Sequence, residues 1–372
     1  MWRKGMDRRS FLKSTSAAAA VASAVAVPAV ATQSTADGAS SPGAPAILAG
    51  TKELVLAMPW RDDVSGPADQ AQRLARRLET ALDGRWRIRL DHPSYGGLEA
   101  VMTAQADLYF GTENHNLPFH PAFAFFAGLP GAGVFNADDL VAWLRIGGGQ
   151  EHWDDLAAEF NVKPFLAGHL GRWPGLWSMQ PIHSLGDIAG QRVAVEGLAL
   201  DVMRGVGAEP VQINADGLAN ALSKGEITAT EFGGPLTSLA LRIPAVAKHL
   251  NGFGILEGGI ALSFGMRKSL WDHLGTADRA IINAILAEEA QSSLAEMRAH
   301  EKPLRGMLRD VFGVIFTPLP SDVAIAIDRV AEAVVAHAGS VDPTAQRINA
   351  SYHAFRNAAW GLERQNVAAH TS

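Results

Sequence analysis

The chain reads as an α/β protein, and three observations carry that reading. Short apolar or β-branched runs alternate with amphipathic helical stretches: a strand over residues 53–57, a helix opening at Pro67, a strand over 86–90. Several of these runs stop abruptly at a polar loop or a Gly-Pro break, which is how a strand delivers side chains to a crevice. Thr228-Ala229-Thr230-Glu231-Phe232-Gly233-Gly234-Pro235 shows this most clearly, and Glu257 is set similarly after the apolar run 253–256 and before Gly258-Gly259. Finally, 372 residues at 48% apolar and 19% charged content are an ordinary globular balance, with enough chain for two lobes.

In order, the run 53–57 is a buried strand that leaves at Met58-Pro59-Trp60 into polar Arg61-Asp62-Asp63. Ser65-Gly66-Pro67 starts a helix with Ala71, Leu74, Leu78 and Leu82 on one face. Trp86, Ile88 and Leu90 alternate with Arg85, Arg87 and Arg89, the pattern of a half-exposed strand. A short helix over 98–104 and a strand over 106–111 follow. The polar continuation Thr112-Glu113-Asn114-His115-Asn116 leaves a strand end, where α/β folds face their ligand crevice. The aromatic run 123–130 is core and lobe packing. Helices over 137–145 and 152–159 are separated by Gly147-Gly148-Gly149, which ends the first.

The second half repeats the alternation: strand 192–195, helix 198–206, strand 211–213, helix 215–223, then the Glu231 strand. Residues 260–264 read as a strand returning to the first lobe. Thr276 caps a long helix from 277 to about 301, ended near Pro303. After a strand at 314–316, Ser321 caps a helix with the stripe Val323, Ile327, Val330 and Val334. A last helix over 344–363 packs across the lobes or against a partner chain. There is no internal repeat.

The N-terminus reads as an export signal. Asp7-Arg8-Arg9-Ser10-Phe11-Leu12-Lys13 followed by an Ala/Val run predicts a twin-arginine signal peptide over 1–31, with Ala29-Val30-Ala31 as its cleavage site. A Ser/Ala/Gly/Pro-rich flexible linker over 32–50 follows. The expected mature chain is soluble and periplasmic. The formal charge is −6; the leader carries five basic residues against one acidic, net +4, so the remainder stands near −10. That acidity argues against nucleic acid and against anionic lipid as partners. Zero cysteines exclude disulfides and a thiol nucleophile, in keeping with export of an already folded chain.

Enzyme signatures are thin. There is no Gly-x-Ser-x-Gly elbow and no phosphate loop, and Gly131-Ala132-Gly133 and Gly252-Phe253-Gly254 each lack the third glycine of a dinucleotide fingerprint. His115 and His120 lie five apart around Pro118, a poor spacing for two helical metal ligands. No organic cofactor and no catalytic residue are expected.

Ala229-Thr230-Glu231-Phe232-Gly233-Gly234-Pro235 resembles the Ala-Thr-Glu-Trp-x-Gly-Pro segment of solute-binding proteins of tripartite ATP-independent periplasmic (TRAP) transporters, the DctP family. The similarity is greatest to the branch that binds 2-oxo acids and lactate with a metal ion. It continues through Ala142-Trp143-Leu144, Gly147-Gly148-Gly149-Gln150, Lys163-Pro164-Phe165, Ala167-Gly168 and Leu239-Ala240-Leu241, over most of 51–320. The resemblance implies a two-lobe periplasmic-binding-protein fold, class II-like, with crossing strands and C-terminal helices. Lobe I is expected over 51–166 with a return at about 259–305, lobe II over 167–258 with about 306–320, and the C-terminal helices over 321–368.

It further implies a receptor that closes on a small organic acid, bridged by a calcium or sodium ion to Glu231, the Phe232 carbonyl and Glu257. Partners would be the permease subunits and, through the C-terminal helices, a second copy. The expected pocket is Glu231, Phe232, Glu257, Arg172 and Trp173, with Trp60, Asn114 and His115 from the opposing lobe. The resembled branch clamps its carboxylate with an arginine at the position of Ala194. Arginine suits that task because its planar fork gives two charge-assisted bonds. Two readings stay open here: Arg192 or Arg172 supplies the guanidinium, or the pocket holds a different ligand against Trp173, Trp60 and Phe232. An exported enzyme or a sensory subunit on the same fold is the alternative function.

Overall fold

A computed structural model describes residues 50–92, 96–131, 134–172, 175–252, 255–256 and 258–370, with side chains through Ala359. The leader over 1–31 and the linker through residue 49 lie outside the described residues, as do Trp173 and Glu257. Among the described residues no helix is long and apolar enough to cross a membrane.

Eleven described strands form two sheets. They are β1 (Lys52–Ala57), β2 (Trp86–Asp91), β3 (Leu108–Gly111), β4 (Val162–His169), β5 (Leu176–Ser178), β6 (Arg192–Ala194), β7 (Glu209–Val211), β8 (Ala229–Thr230), β9 (His249–Gly252), β10 (Ala261–Arg267) and β11 (Ile315–Pro318). The first sheet runs β2-β1-β3-β10-β4, the second β11-β9-β5-β8-β6-β7. β1 is parallel to β2 and β3, while β10 is antiparallel to both β3 and β4, pairing Phe264 with Phe110 on one side and Phe165 on the other. In the second sheet β6 is parallel to β7 and β8, and β5 is antiparallel to β8 and β9.

The chain therefore passes between sheets three times: from β4 to β5, from β9 to β10, and through the long helix Thr276–Asp310 to β11. These crossings make the molecule a two-lobe fold.

Local chemistry explains most boundaries. β2 alternates Trp86 in, Arg87 out, Ile88 in, Arg89 out, as its sequence requires. The helix Pro67–Ala81 buries Ala71, Leu74 and Leu78, and Asp69 closes a capping box on the Gly66 amide. Asn136 caps Ala137–Arg145 by accepting from the Asp138 and Asp139 amides. Gly149 opens the next helix, Gly149–Ala158, so the glycine triplet both ends one helix and begins another. The aromatic run is core as expected: Phe126 stacks between Trp143 and Trp153, with centroids 5.4 Å and 5.0 Å away.

Four expectations are corrected. The strand placed at 211–213 is β7 at Glu209–Val211, two residues earlier. Thr276 and Ser321 are first helical residues; the caps are Gly275 and Pro320, neither with a side-chain bond. Pro303 does not end the long helix, which runs on to Asp310 because Leu304 and Leu308 are buried on the continuing face. After β9 ends at Gly252, Ile255-Leu256 form a turn.

The last helix, Pro343–His370, packs on the first lobe, where Tyr352 meets Phe125, Phe135 and Trp143. His120 also meets Asp342 at 2.7 Å. The helix before it, Ser321–Ala338, touches the second lobe, with Val330 against Gly205.

Candidate functional site

The centre of the second sheet delivers Glu231. β8 is only two residues long, wedged between β5 and β6, with Thr230 paired to Trp177 on one side and Ala194 on the other. The Ala194 carbonyl takes the Thr230 hydroxyl at 2.9 Å and the Glu231 amide at 3.2 Å, which fixes how the strand ends. Glu231 is 1% exposed. Its Oε2 accepts the Ile255 amide at 2.8 Å and its Oε1 the Leu256 amide at 3.0 Å. Among the described residues it has no cationic partner, and no cluster of three or more acidic or histidine side chains assembles around it. Burial pushes the carboxyl up to about 7, the two amide bonds pulling the other way.

The predicted site residues do not all gather there. Phe232 is 4% exposed and belongs to the larger core cluster, and its carbonyl accepts the Ser238 hydroxyl at 3.2 Å, which in turn accepts the Trp177 indole N–H. Trp60 is likewise core, edge-on to Phe110 at 6.3 Å. Both rings are thus buried in that cluster. Arg192 shares a strand face with Ala194 but begins β6 and is exposed, while Ala194 ends it buried. Two residues of strand separate them by about 6.6 Å along the axis. Trp173 and Glu257 lie outside the described residues.

Asn114 and His115 do meet the opposing lobe. The 3₁₀ turn Glu113–Asn116 follows β3, with Thr112 accepting from the Asn114 amide. Glu196 and Gly197 follow β6. Gly197 has φ +61°, and a Cβ there would lie 2.4 Å from Asn114 Oδ1. Beside it His115 Nε2 stands 3.6 Å from Glu196 Oε1. Burial pulls the imidazole down, but the Glu196 carboxylate, with Glu113 behind, outweighs it and leaves the pKa above the ordinary histidine value. Glu113 is itself fully buried and pushed up by that burial, against hydrogen bonds from Asn116 Nδ2 and the Tyr109 hydroxyl, both at 2.7 Å. Glu196 and Gly197 are functional candidates the sequence reading passed over; the available signal was a carboxylate and a glycine just past the carboxyl end of a parallel strand.

A cleft of about 520 Å³ opens beside the crossing segments, lined by His169, Arg172, Asp138, Gly258, Met297 and Arg298 among others. That volume suits a small ligand, about 300–1,000 Å³ being usual. His169 is 5% exposed and burial lowers it to about 4. Its Nδ1 accepts the Gly171 amide at 2.9 Å, which puts the proton of the neutral ring on Nε2. Glu231 does not line this cleft, but Arg172 does, adjoining Trp173, as does Gly258, adjoining Glu257.

Solved structures of known proteins share this architecture. A TRAP transporter solute-binding protein from Bordetella bronchiseptica, with calcium and picolinate in one site, is 23% identical and superposes with a TM-score of 0.80, covering 86% of this chain and 96% of that one. A TRAP periplasmic solute-binding protein from Colwellia psychrerythraea, with bound calcium and pyruvate, gives 21% identity and a TM-score of 0.79 over 87% and 99% of the two chains. A counterpart from Pseudoalteromonas atlantica, with sodium and pyruvate, gives 21% and 0.78 over the same shares. Among curated proteins, a monocarboxylate 2-oxoacid-binding periplasmic protein of a Nostoc species is 24% identical over 318 residues, 82% of this chain and 86% of the relative. Residues 68–339 match the family model described as bacterial extracellular solute-binding protein, family 7 (DctP), and the chain belongs to that family.

Proposed function

We propose that this protein is the periplasmic receptor of a TRAP transporter, closing its lobes on a small carboxylate, such as a 2-oxo or 2-hydroxy acid, together with a calcium or sodium ion. The observation that carries the reading is Glu231: a buried carboxylate, pinned by two backbone amides and without a cationic partner among the described residues. A buried carboxylate left so is costly, and a bound cation removes that cost. Hard cations take six or more oxygens, some from the ligand itself, so Glu231 and Glu257, which follows Leu256 in sequence, are the side chains that would hold the ion.

Closure is driven by contacts that the ligand makes with both lobes, and no bond is made or broken. The chain acts as a receptor and not as an enzyme, reaches the periplasm by the twin-arginine route, and hands its ligand to the membrane permease subunits. The C-terminal helices are the candidate surface for a homodimer. Arg172 is the better candidate than Arg192 to replace a guanidinium at position 194, since it lines the cleft while Arg192 is exposed at the start of β6.

The test is thermal shift with pyruvate, lactate and picolinate, each with and without calcium or sodium. A bound ligand raises the midpoint by mass action. The expected result is a rise with acid and cation together that is lost in Glu231→Ala. If none of the acids, with either cation, shifts the midpoint while neutral or aromatic solutes do, Ala194 marks a pocket rebuilt for another ligand.

A further inference from the structure

The turn after β3 and the loop after β6 belong to different sheets, yet they touch. Asn114 sits on the bare backbone of Gly197, and one residue on, His115 faces Glu196 at 3.6 Å, the two side chains 23% and 19% exposed. We infer that the His115–Glu196 pair is a proton-controlled latch, which holds the lobes together when the imidazole is charged and releases them when it is neutral. The proposal rests on the receptor reading only for the premise that the lobes open and close.

Three features make this pair a latch. It joins residues that belong to different sheets, so separation of the lobes must break it. It is mostly shielded from water, which strengthens attraction between its partners relative to a surface pair. And histidine is the side chain whose charge changes in the neutral pH range. Among the described residues the charged groups bearing on His115 are Glu196 from the second lobe and Glu113 from its own turn. Glu113 travels with His115 when the lobes part, already engaged by Tyr109 and Asn116, so only Glu196 is lost.

The sign follows by linkage. The imidazole pKa is raised in the closed form above its ordinary value of 6.5. Loss of Glu196 on opening lets it fall, so closing takes up protons. The latch is therefore fully engaged below the open-form value and is lost as pH rises through the closed-form value.

The chain has no cysteine, so Arg87→Cys on exposed β2 and Ser223→Cys on the second lobe accept a donor and acceptor dye without background. Single-molecule energy transfer on the ligand-free protein between pH 5.5 and 8.5 reads the closed fraction. The expected closed-to-open ratio falls by about fivefold or more across that range, the lower end of ordinary site coupling. Glu196→Gln flattens the profile, and so does His115→Gln, each checked for native circular dichroism. A wild-type profile independent of pH overturns the latch, as does a Glu196→Gln profile with an unmoved midpoint. Calcium with pyruvate at fixed pH separates the two ideas: if it changes the transfer efficiency where pH does not, the receptor reading stands and the latch falls.

Discussion

Glu231 Oε2 accepts the amide proton of Ile255 at 2.8 Å, and Oε1 that of Leu256 at 3.0 Å, so one carboxylate ties the end of β8 to the turn before β10. Burial nevertheless holds this carboxyl near 7, well above an ordinary glutamate. In the cation-free protein the folded state keeps a proton that the unfolded chain gives up near 4.5. Stability is therefore fully present below about 4.5, falls as pH rises toward 7, and is flat above. The loss is on the order of 3 kcal/mol. Urea titrations at pH 5 and pH 7.5 check it, and saturating calcium is expected to remove most of the difference.

Gly197→Ala tests the contact between lobes. The new methyl falls 2.4 Å from Asn114 Oδ1, and the φ of +61° is strained for any side chain with a Cβ. Scattering is expected to show a larger radius of gyration than wild type at the same pH, with ligand affinity down about tenfold, a cost of about 1.4 kcal/mol.

Glu289 is 0% exposed and accepts Arg73 Nη2 at 2.7 Å and Arg77 Nη1 at 3.1 Å. Replacing Arg73 by leucine leaves it Arg77 alone. The expected loss is about 2–3 kcal/mol in urea unfolding, less than full removal of a buried partner. Adding Glu289→Leu to Arg73→Leu is expected to restore most of it, because the fully buried carboxylate is gone and the groups left, Arg77 and Glu296, are partly exposed.

Tyr352→Phe removes the oxygen that accepts the Phe135 amide at 3.0 Å. The site is otherwise filled by the same ring, so the cost is that of one lost hydrogen bond, about 1–2 kcal/mol. Urea unfolding reads it, and because the contact ties the last helix to the first lobe, hydrogen exchange is expected to rise along Pro343–His370 first.

Period and punctuation made most of the fold legible. The helix Ala137–Arg145 and strand β2 follow from capping and alternation alone. β5 and β9 were not legible: Leu176–Ser178 is three residues beside a glycine, and His249-Leu250-Asn251-Gly252 has no alternation to read. Their hydrogen bonds come from distant strands, which local pattern does not report. The site was legible in part. Glu231 stands out because a polar residue ends an apolar run, but Trp60 and Phe232 are equally conspicuous and are core. An aromatic at a strand end carries no sign of whether it turns toward the crevice or under the sheet. Arg192 shows the same limit, since periodicity fixes a face and not a position along the strand.

Pro303 stands inside the helix Thr276–Asp310 and leaves the Ala299 carbonyl without its ladder donor. Ahead of it the rod is bolted to the first lobe through Asp278 and Glu289; behind it, the Leu308 carbonyl accepts the Val314 amide just before β11 in the second. A beam clamped to two bodies would resist their rotation along its whole length. With one rung missing between the clamps, the compliance is concentrated at a single joint, and torsion between the sheets is taken up there while both arms stay stiff.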